Sequence, residues 1–217
     1  LLAAAKQEES TNSPRPRVRL LASRCFIHWI AADLPGVLAL GQQAIRVSQA
    51  AAQQPESLGW AHTILAACYY QQNDLVTAEL HANTVQELRH ASQRNAVAQS
   101  AIILAAIQQA REQPDAALHI LAKVRGYLME LQGEALLPLV QAYRAELAAR
   151  QGDLAIAARW VATVGPQQSH GLMAFFYTSQ LTLPKILLRI GTPASREQAA
   201  AALARLYTFV TATHNTR

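Results

Sequence analysis

A short turn recurs along the chain at intervals of about forty residues, and this period limits the possible fold more than any other feature. The turn reads AADLPGVLAL at 31–40, QNDLVTAEL at 72–80, EQPDAALHIL at 112–121 and QGDLAIAARW at 151–160. Aligning the small or β-branched residue after each turn gives spacings of 41, 39 and 40 residues; the aligned residues are Val37, Ala78, Ala117 and Ala157. Self-similarity at this period, with two helices per unit, is typical of an α-solenoid.

The residues at the turns have local reasons to be there. Asn73-Asp74 and Gly152-Asp153 are suited to end one helix in the left-handed conformation and to cap the next. Pro114 suits the first turn of its helix, where its missing N–H is not needed. Glu112 occupies the place that Gly152 has in the next repeat, so this turn is expected to be less ideal or to reach the same bend differently.

Small residues at a fixed separation predict close contact within each hairpin. Ala66 precedes Ala78 by twelve residues, and the same offset joins Cys25 to Val37, Ala105 to Ala117 and Ala145 to Ala157. A hairpin cannot bury its apolar face alone, so stacked neighbours supply a continuous core. We therefore predict an all-α, right-handed superhelix of about five tetratricopeptide-like hairpins, with a leader or linker at 1–17 and the repeat domain at 18–217.

The fifth unit, 172–191 and 195–212, is looser than the others. Pro184 lies inside its first predicted helix and is expected to kink it. The run Phe175-Phe176-Tyr177 is expected to be core, where this unit closes on the fourth. Trp160 follows the fourth turn on a second helix, so it should face the neighbouring hairpin or the convex side.

Charge, cysteines and histidines exclude several classes of function. The formal charge is +5, but the positive residues are scattered apart from Arg15, Arg17 and Arg19, so nucleic-acid binding is not predicted. Cys25 and Cys68 are expected to be reduced packing residues of a cytoplasmic protein. None of the seven histidines belongs to a paired metal-binding motif. No catalytic motif, phosphate-binding loop, signal peptide or membrane span is found. We expect neither enzyme activity nor a cofactor or metal.

The order large apolar, small, aromatic, turn and Asp-Leu-x-x-Ala resembles the tetratricopeptide repeat. The longer period is similar to the helical-repeat region of the MalT-like, ATP-dependent LuxR-type transcription regulators. The resemblance is carried by WAHTILAACYYQQNDLVTAELH (60–81), AELAARQGDLAIAARW (145–160) and ATHNTR (212–217). It implies a sensor segment cut from a longer protein, between an ATPase domain and a DNA-binding helix-turn-helix domain, where a small effector or an inhibitory protein acts.

The predicted function is therefore binding, through the concave groove of the superhelix and with relay to the attached domains. First helices line that groove in such solenoids, and counting from the aligned positions gives Phe26, Trp29, Trp60, Thr63, Tyr70, Gln99, Gln109, Glu146 and Arg150 as possible contacts. For the aromatic residues, packing between hairpins is the alternative interpretation. The alternative function is a protein-docking scaffold of a multidomain signalling ATPase, kinase or cyclase, and a hydrolase is a third class.

Overall fold

The computed structural model of this chain describes residues 14–50, 57–164 and 176–212. In these ranges the secondary structure is entirely helical, with ten α-helices, two short 3-10 turns and no strand. The predicted all-α class is confirmed. The chain divides into two compact units, one ending at Arg111 and the other beginning at Glu112.

Unit 1 contains five helices in which each packs against the next along the chain. They are α1 (Pro14–Ile30), α2 (Leu34–Ala50), α3 (Ser57–Gln71), α4 (Leu75–Glu87) and α5 (Arg94–Ala110). In addition, α1 packs against α3 and α3 packs against α5, so that alternate helices also meet. Helix α1 begins at Pro14, four residues before the predicted start of the repeat domain, since Pro14 and Pro16 both lie in its first turn, where proline is tolerated.

Unit 2 contains the other five helices. They are α6 (Pro114–Glu130), α7 (Leu137–Arg150), α8 (Leu154–Thr163), α9 (Thr182–Ile190) and α10 (Pro193–Ala212), with 3-10 turns at Glu134–Leu136 and Ser179–Leu181. Helix α7 packs against α6, α8 and α9, and α10 packs against α9. A cluster of small and aliphatic residues, Ala145, Ala149, Ala157 and Ile186, forms a core among α7, α8 and α9.

The four turns of the sequence repeat share one backbone conformation although their residues differ, and among the described residues Gln132 and Gly191 have positive φ as well. Each turn has a residue at positive φ, with 56° at Ala32, 60° at Asn73, 59° at Glu112 and 88° at Gly152. Only glycine adopts this region without steric cost, and asparagine is the usual second choice. The bend expected at Asn73 and Gly152 is confirmed, and Glu112 reaches it in a backbone conformation that is unfavourable for a residue with a Cβ atom.

The aspartate after the left-handed residue caps the next helix. Asp74 accepts a hydrogen bond from the Thr77 N–H at 3.1 Å, and Asp153 accepts one from the Ile156 N–H at 3.0 Å. Asp33 does the same for the Gly36 N–H at 3.0 Å. The caps predicted at Asp74 and Asp153 are confirmed. Pro114 also occupies the start of its helix, as predicted.

Helices α3 and α5 are buried in a different way from α6. In α3 every residue from Ala61 to Cys68 is buried, and in α5 burial is continuous over 96–108. By contrast α6 buries only Ala117, Leu121, Val124 and Leu128, a single stripe at helical spacing. Helix α6 is therefore amphipathic, whereas α3 and α5 have no face left for solvent along most of their length. Helix α1 is not covered in this way, since only four of its seventeen residues are buried.

The fifth predicted unit differs most from expectation. The prediction of a kink at Pro184 is wrong, because α9 begins only at Thr182 and Pro184 lies in its first turn, where no intrahelical hydrogen bond is lost. Tyr177 is buried and Phe176 is partly buried, whereas Phe175 lies outside the described residues.

Candidate functional site

Unit 2 carries a half-open cleft of about 820 Å³ between α6, α7 and α8. Because α7 packs against both other helices, it supplies the floor, and α6 and α8 supply the walls. The lining residues recur at the spacing of one helical face: Leu118, Leu121, Ala122 and Arg125 on α6, Val140, Gln141, Arg144 and Ala145 on α7, and Ile156, Arg159, Trp160 and Thr163 on α8. His119 completes the lining.

The cleft has an apolar base and a cationic rim. Leu121, Val140 and the α7 alanine that lines it are at most 2% exposed, which places the apolar groups deepest. Three arginines, Arg125, Arg144 and Arg159, are exposed, and the lining contains no aspartate or glutamate. Among the residues that the structure describes, none of the three forms an ion pair. Their positive charge therefore stays available to an anion that approaches from solvent.

Trp160 gives the cleft an aromatic wall next to Arg159. Its indole is partly buried and packs against the core of Ala145, Ala149, Ala157 and Ile186, so the ring is held in place. The prediction was that Trp160 faces the neighbouring hairpin or the convex side; the cluster it packs against contains Ile186 of α9, but also alanines of α7 in its own hairpin. A fixed aromatic ring beside exposed guanidinium groups can contact apolar and anionic groups of one ligand together.

A second polar cluster of unit 2 surrounds Glu146. Its carboxylate is 3% exposed and accepts hydrogen bonds from Arg150 at 2.6 Å, Lys185 at 3.0 Å and the Thr182 hydroxyl at 3.0 Å. Thr182 is also hydrogen-bonded to the Tyr177 hydroxyl. Burial alone would raise the pKa of Glu146, but the hydrogen bonds and charges of Lys185 and Arg150 lower it below its ordinary value. The ion pair between Glu146 and Lys185 joins α7 to α9.

Glu146 and Arg150 were predicted as groove contacts, and the structure brings them together as partners of each other. A small cavity of about 250 Å³ lies beside them, lined also by Lys185 and Arg189. The carboxylate itself is occupied by its three hydrogen bonds, and its role in the described structure is to hold α9 on α7.

The aromatic residues predicted on the groove of unit 1 pack around the core. Phe26, Trp29 and Trp60 all pack against the cluster formed by Cys25, Val37, Ile64 and Cys68. The Phe26 and Trp60 ring centroids are 6.4 Å apart, and the Trp60 indole N–H donates to Gln93 Oε1 at 2.6 Å. These contacts agree with the alternative interpretation, packing, although all three rings keep a partly exposed surface.

The remaining predicted contacts of unit 1 differ in how far their side chains are exposed to solvent. Thr63 and Gln99 are 3% and 1% exposed, and Thr63 donates to the Gly59 carbonyl at 2.8 Å. They do not line an open groove as expected, because α3 and α5 are covered on all sides at these positions. Tyr70 and Gln109, near the ends of the same helices, are partly exposed.

Two histidines that sequence reasoning treated as separate meet across α3 and α4. The Nδ1 atoms of His62 and His81 are 2.9 Å apart, and the Tyr69 ring stacks on His81 with centroids 5.5 Å apart. Burial, and then the neighbouring His81, lower the pKa of His62 to about 4. His62 lies four residues before Ala66, and His81 lies three residues after Ala78. Because these two alanines pair within the hairpin, the sequence already places the two histidines close to each other.

Cys25 and Cys68 are free and buried, as predicted. The Cys25 thiol donates to the Val37 carbonyl at 3.2 Å, and burial followed by the charge of Cys68 raises the Cys25 pKa to about 12. Burial also raises the pKa of Cys68. Both thiols are therefore packing groups with little thiolate character.

Comparison with known proteins found no matching family, no matching curated protein and no matching solved structure. Within the described ranges, no three side chains of the histidine, cysteine, aspartate or glutamate type are grouped so that they could ligate a metal ion. Over the same residues, none of the helices combines the length and the apolar character that crossing a bilayer requires.

Proposed function

We propose that this chain is a non-catalytic binding domain built of stacked tetratricopeptide-like hairpins, and that it binds its partner through the cleft between α6, α7 and α8. The observation that carries the proposal is the composition of this cleft. An apolar base, a fixed indole and three arginines without a neighbouring carboxylate are the features of a recognition surface.

The repeat architecture is supported by the recurring turn and by the packing of alternate helices. Left-handed residues at Ala32, Asn73, Glu112 and Gly152 have the same spacings as the sequence repeat. In unit 1, α3 packs against α1 and α5, and in unit 2, α7 packs against α9. Contact between alternate helices within each unit is the arrangement that a solenoid of hairpins requires.

The resemblance to MalT-like, ATP-dependent LuxR-type regulators supports a sensor role in a larger signalling protein. In this proposal the occupied cleft favours one arrangement of the hairpins and so shifts the activity of the attached ATPase and DNA-binding domains. The reduced, buried cysteines fit a cytoplasmic protein.

The half-open shape of the cleft favours a protein partner over an enclosed small effector, so the docking-scaffold alternative has a specific observation behind it. In a pocket for a small molecule most of the ligand surface is covered. Here the guanidinium groups are exposed at the rim, which is the distribution of a protein–protein contact.

A thermal-shift screen tests the general proposal. The chain is melted with sugars, nucleotides, amino acids, organic acids and peptides, because any ligand that binds only the folded state raises the melting temperature. A hit that loses its effect when Arg125, Arg144 and Arg159 are replaced by glutamine supports binding at this cleft. If every stabilising ligand keeps its full effect in that variant, the cleft is not the binding site.

A further inference from the structure

The dimensions of the cleft constrain its occupant. On α6 the lining runs from Leu118 to Arg125, and on α8 from Ile156 to Thr163, which is two helical turns, or about 10 Å, on each wall. A volume of about 820 Å³ spread over this length corresponds to a cross-section about 10 Å wide. An α-helix with its side chains has a diameter of about 10–12 Å.

The chemistry of the lining constrains the occupant further. Leu121 and Val140 are already buried, but the partly exposed side chains of Leu118, Ile156 and Trp160 offer an occupant apolar surface. The exposed Arg125, Arg144 and Arg159 come from three different helices, so they surround the base and require acidic groups on both flanks of the occupant. A single small anion would satisfy the arginines and leave the partly exposed apolar side chains of the walls uncovered.

We propose that this cleft binds an acidic amphipathic helix of a partner protein. Apolar side chains at the spacing of one helical face contact Leu118, Ile156 and Trp160, and glutamate or aspartate residues beside them pair with the three arginines. This inference rests on the proposed binding function and deepens it by naming the partner's chemistry.

The probe for the test is a fourteen-residue acetylated and amidated peptide with leucine at positions 1, 4, 8 and 11, glutamate on the flanks and alanine elsewhere. Four turns are used because shorter isolated helices are marginal in water. One matched peptide has glutamine in place of glutamate, and another has serine in place of leucine. Binding to the whole chain is followed by fluorescence anisotropy of a terminal label and by the emission of Trp160, with Trp160→Phe as the control for that signal.

We expect saturable binding of the glutamate–leucine peptide and at least tenfold weaker binding of both matched peptides. Each of Arg125→Gln, Arg144→Gln and Arg159→Gln should weaken binding about two- to fivefold, the range for exposed charge pairs. Arg205→Gln, on an exposed position of α10 outside the cleft, should leave binding unchanged. Raising the salt concentration should weaken binding, because exposed charges are screened.

Four outcomes would overturn the inference. Equal binding of the serine peptide would mean a general polyanion site, and tripolyphosphate or citrate should then compete fully. Binding that survives the triple arginine variant would place the peptide elsewhere. Absence of binding by the glutamate–leucine peptide, with a small anion still stabilising the chain, would exclude the helix and leave the proposed binding function standing. If neither the glutamate–leucine peptide nor the small anion bound, the proposed binding function would be refuted as well.

Discussion

Gly41 lies where α2 approaches α3, and its replacement by alanine should destabilise unit 1. A Cβ atom at this position would lie 2.7 Å from Leu65 Cγ and 2.8 Å from Leu65 Cδ2. Carbon atoms in van der Waals contact are about 3.5–4.0 Å apart, so the overlap is close to 1 Å. Leu65 is completely buried and cannot swing into solvent. Such overpacking costs about 1–3 kcal/mol.

Gly126 provides a matched control, because a Cβ there meets nothing within 4 Å. Both glycines lie inside helices, α2 and α6, so each alanine recovers about 1 kcal/mol of helix propensity. The free energy of unfolding should therefore rise by about 1 kcal/mol in Gly126→Ala and fall by about 0–2 kcal/mol in Gly41→Ala. The difference between the two variants isolates the cost of the contact with Leu65.

Urea denaturation followed by circular dichroism and by tryptophan emission measures both values. Trp29 and Trp60 report on unit 1 and Trp160 reports on unit 2, so an independent transition of either unit is visible. If Gly41→Ala stabilises the protein as much as Gly126→Ala does, α2 and α3 do not approach as closely as described, and the argument from close helix packing fails.

Other predictions concern the turns and the buried charges. Glu112→Gly should stabilise the chain by about 1 kcal/mol and Gly152→Ala should destabilise it by about as much in urea melts, because both residues have positive φ. His62 has a lowered pKa, so the stability that its neutral form gives is complete above pH 6.5 and falls as the pH drops toward 4. The loss is about 3 kcal/mol, and His62→Asn should flatten this dependence in unfolding free energies measured at several pH values. Glu146 also has a lowered pKa, so the stability it contributes is present above its unfolded-state pKa and is lost as the pH falls through the lower folded-state value. Glu146→Gln should lower the melting temperature at pH 7 and should matter less in acid.

The parts of the fold that depend on residues close together in the sequence could be predicted from it. The turns at Asn73-Asp74 and Gly152-Asp153 and the helix start at Pro114 follow from backbone preferences of the residues themselves. The start of α9 was misplaced because Pro184 was assigned to a helix interior, and the residues before Thr182 do not continue that helix.

The candidate site was harder to predict because it depends on which helical faces meet. The predicted groove included Gln99 and Thr63, whose burial comes from the packing of α3 and α5 and has no local signal. The three cleft arginines looked scattered because they are far apart in the chain. Arg144 lies eight residues before Gly152 and Arg159 lies seven residues after it. Residues at nearly equal distances from the turn of a helical hairpin lie beside each other, so this pair could have been predicted. Arg125 comes from α6, outside the pair of helices joined by that turn, and required the structure.

The nearly complete burial of α3 and α5 has a consequence for hydrogen exchange. Amide protons in α3 and α5 lie behind side chains that are covered on every face, whereas the outer faces of α2 and α4 are open to water. Exchange protection measured along the first unit should therefore alternate from helix to helix, high in α3 and α5 and lower in α2 and α4. Helices with slowly exchanging amides and helices with rapidly exchanging amides would then alternate along the chain. The interior of the unit would exchange separately from its surface.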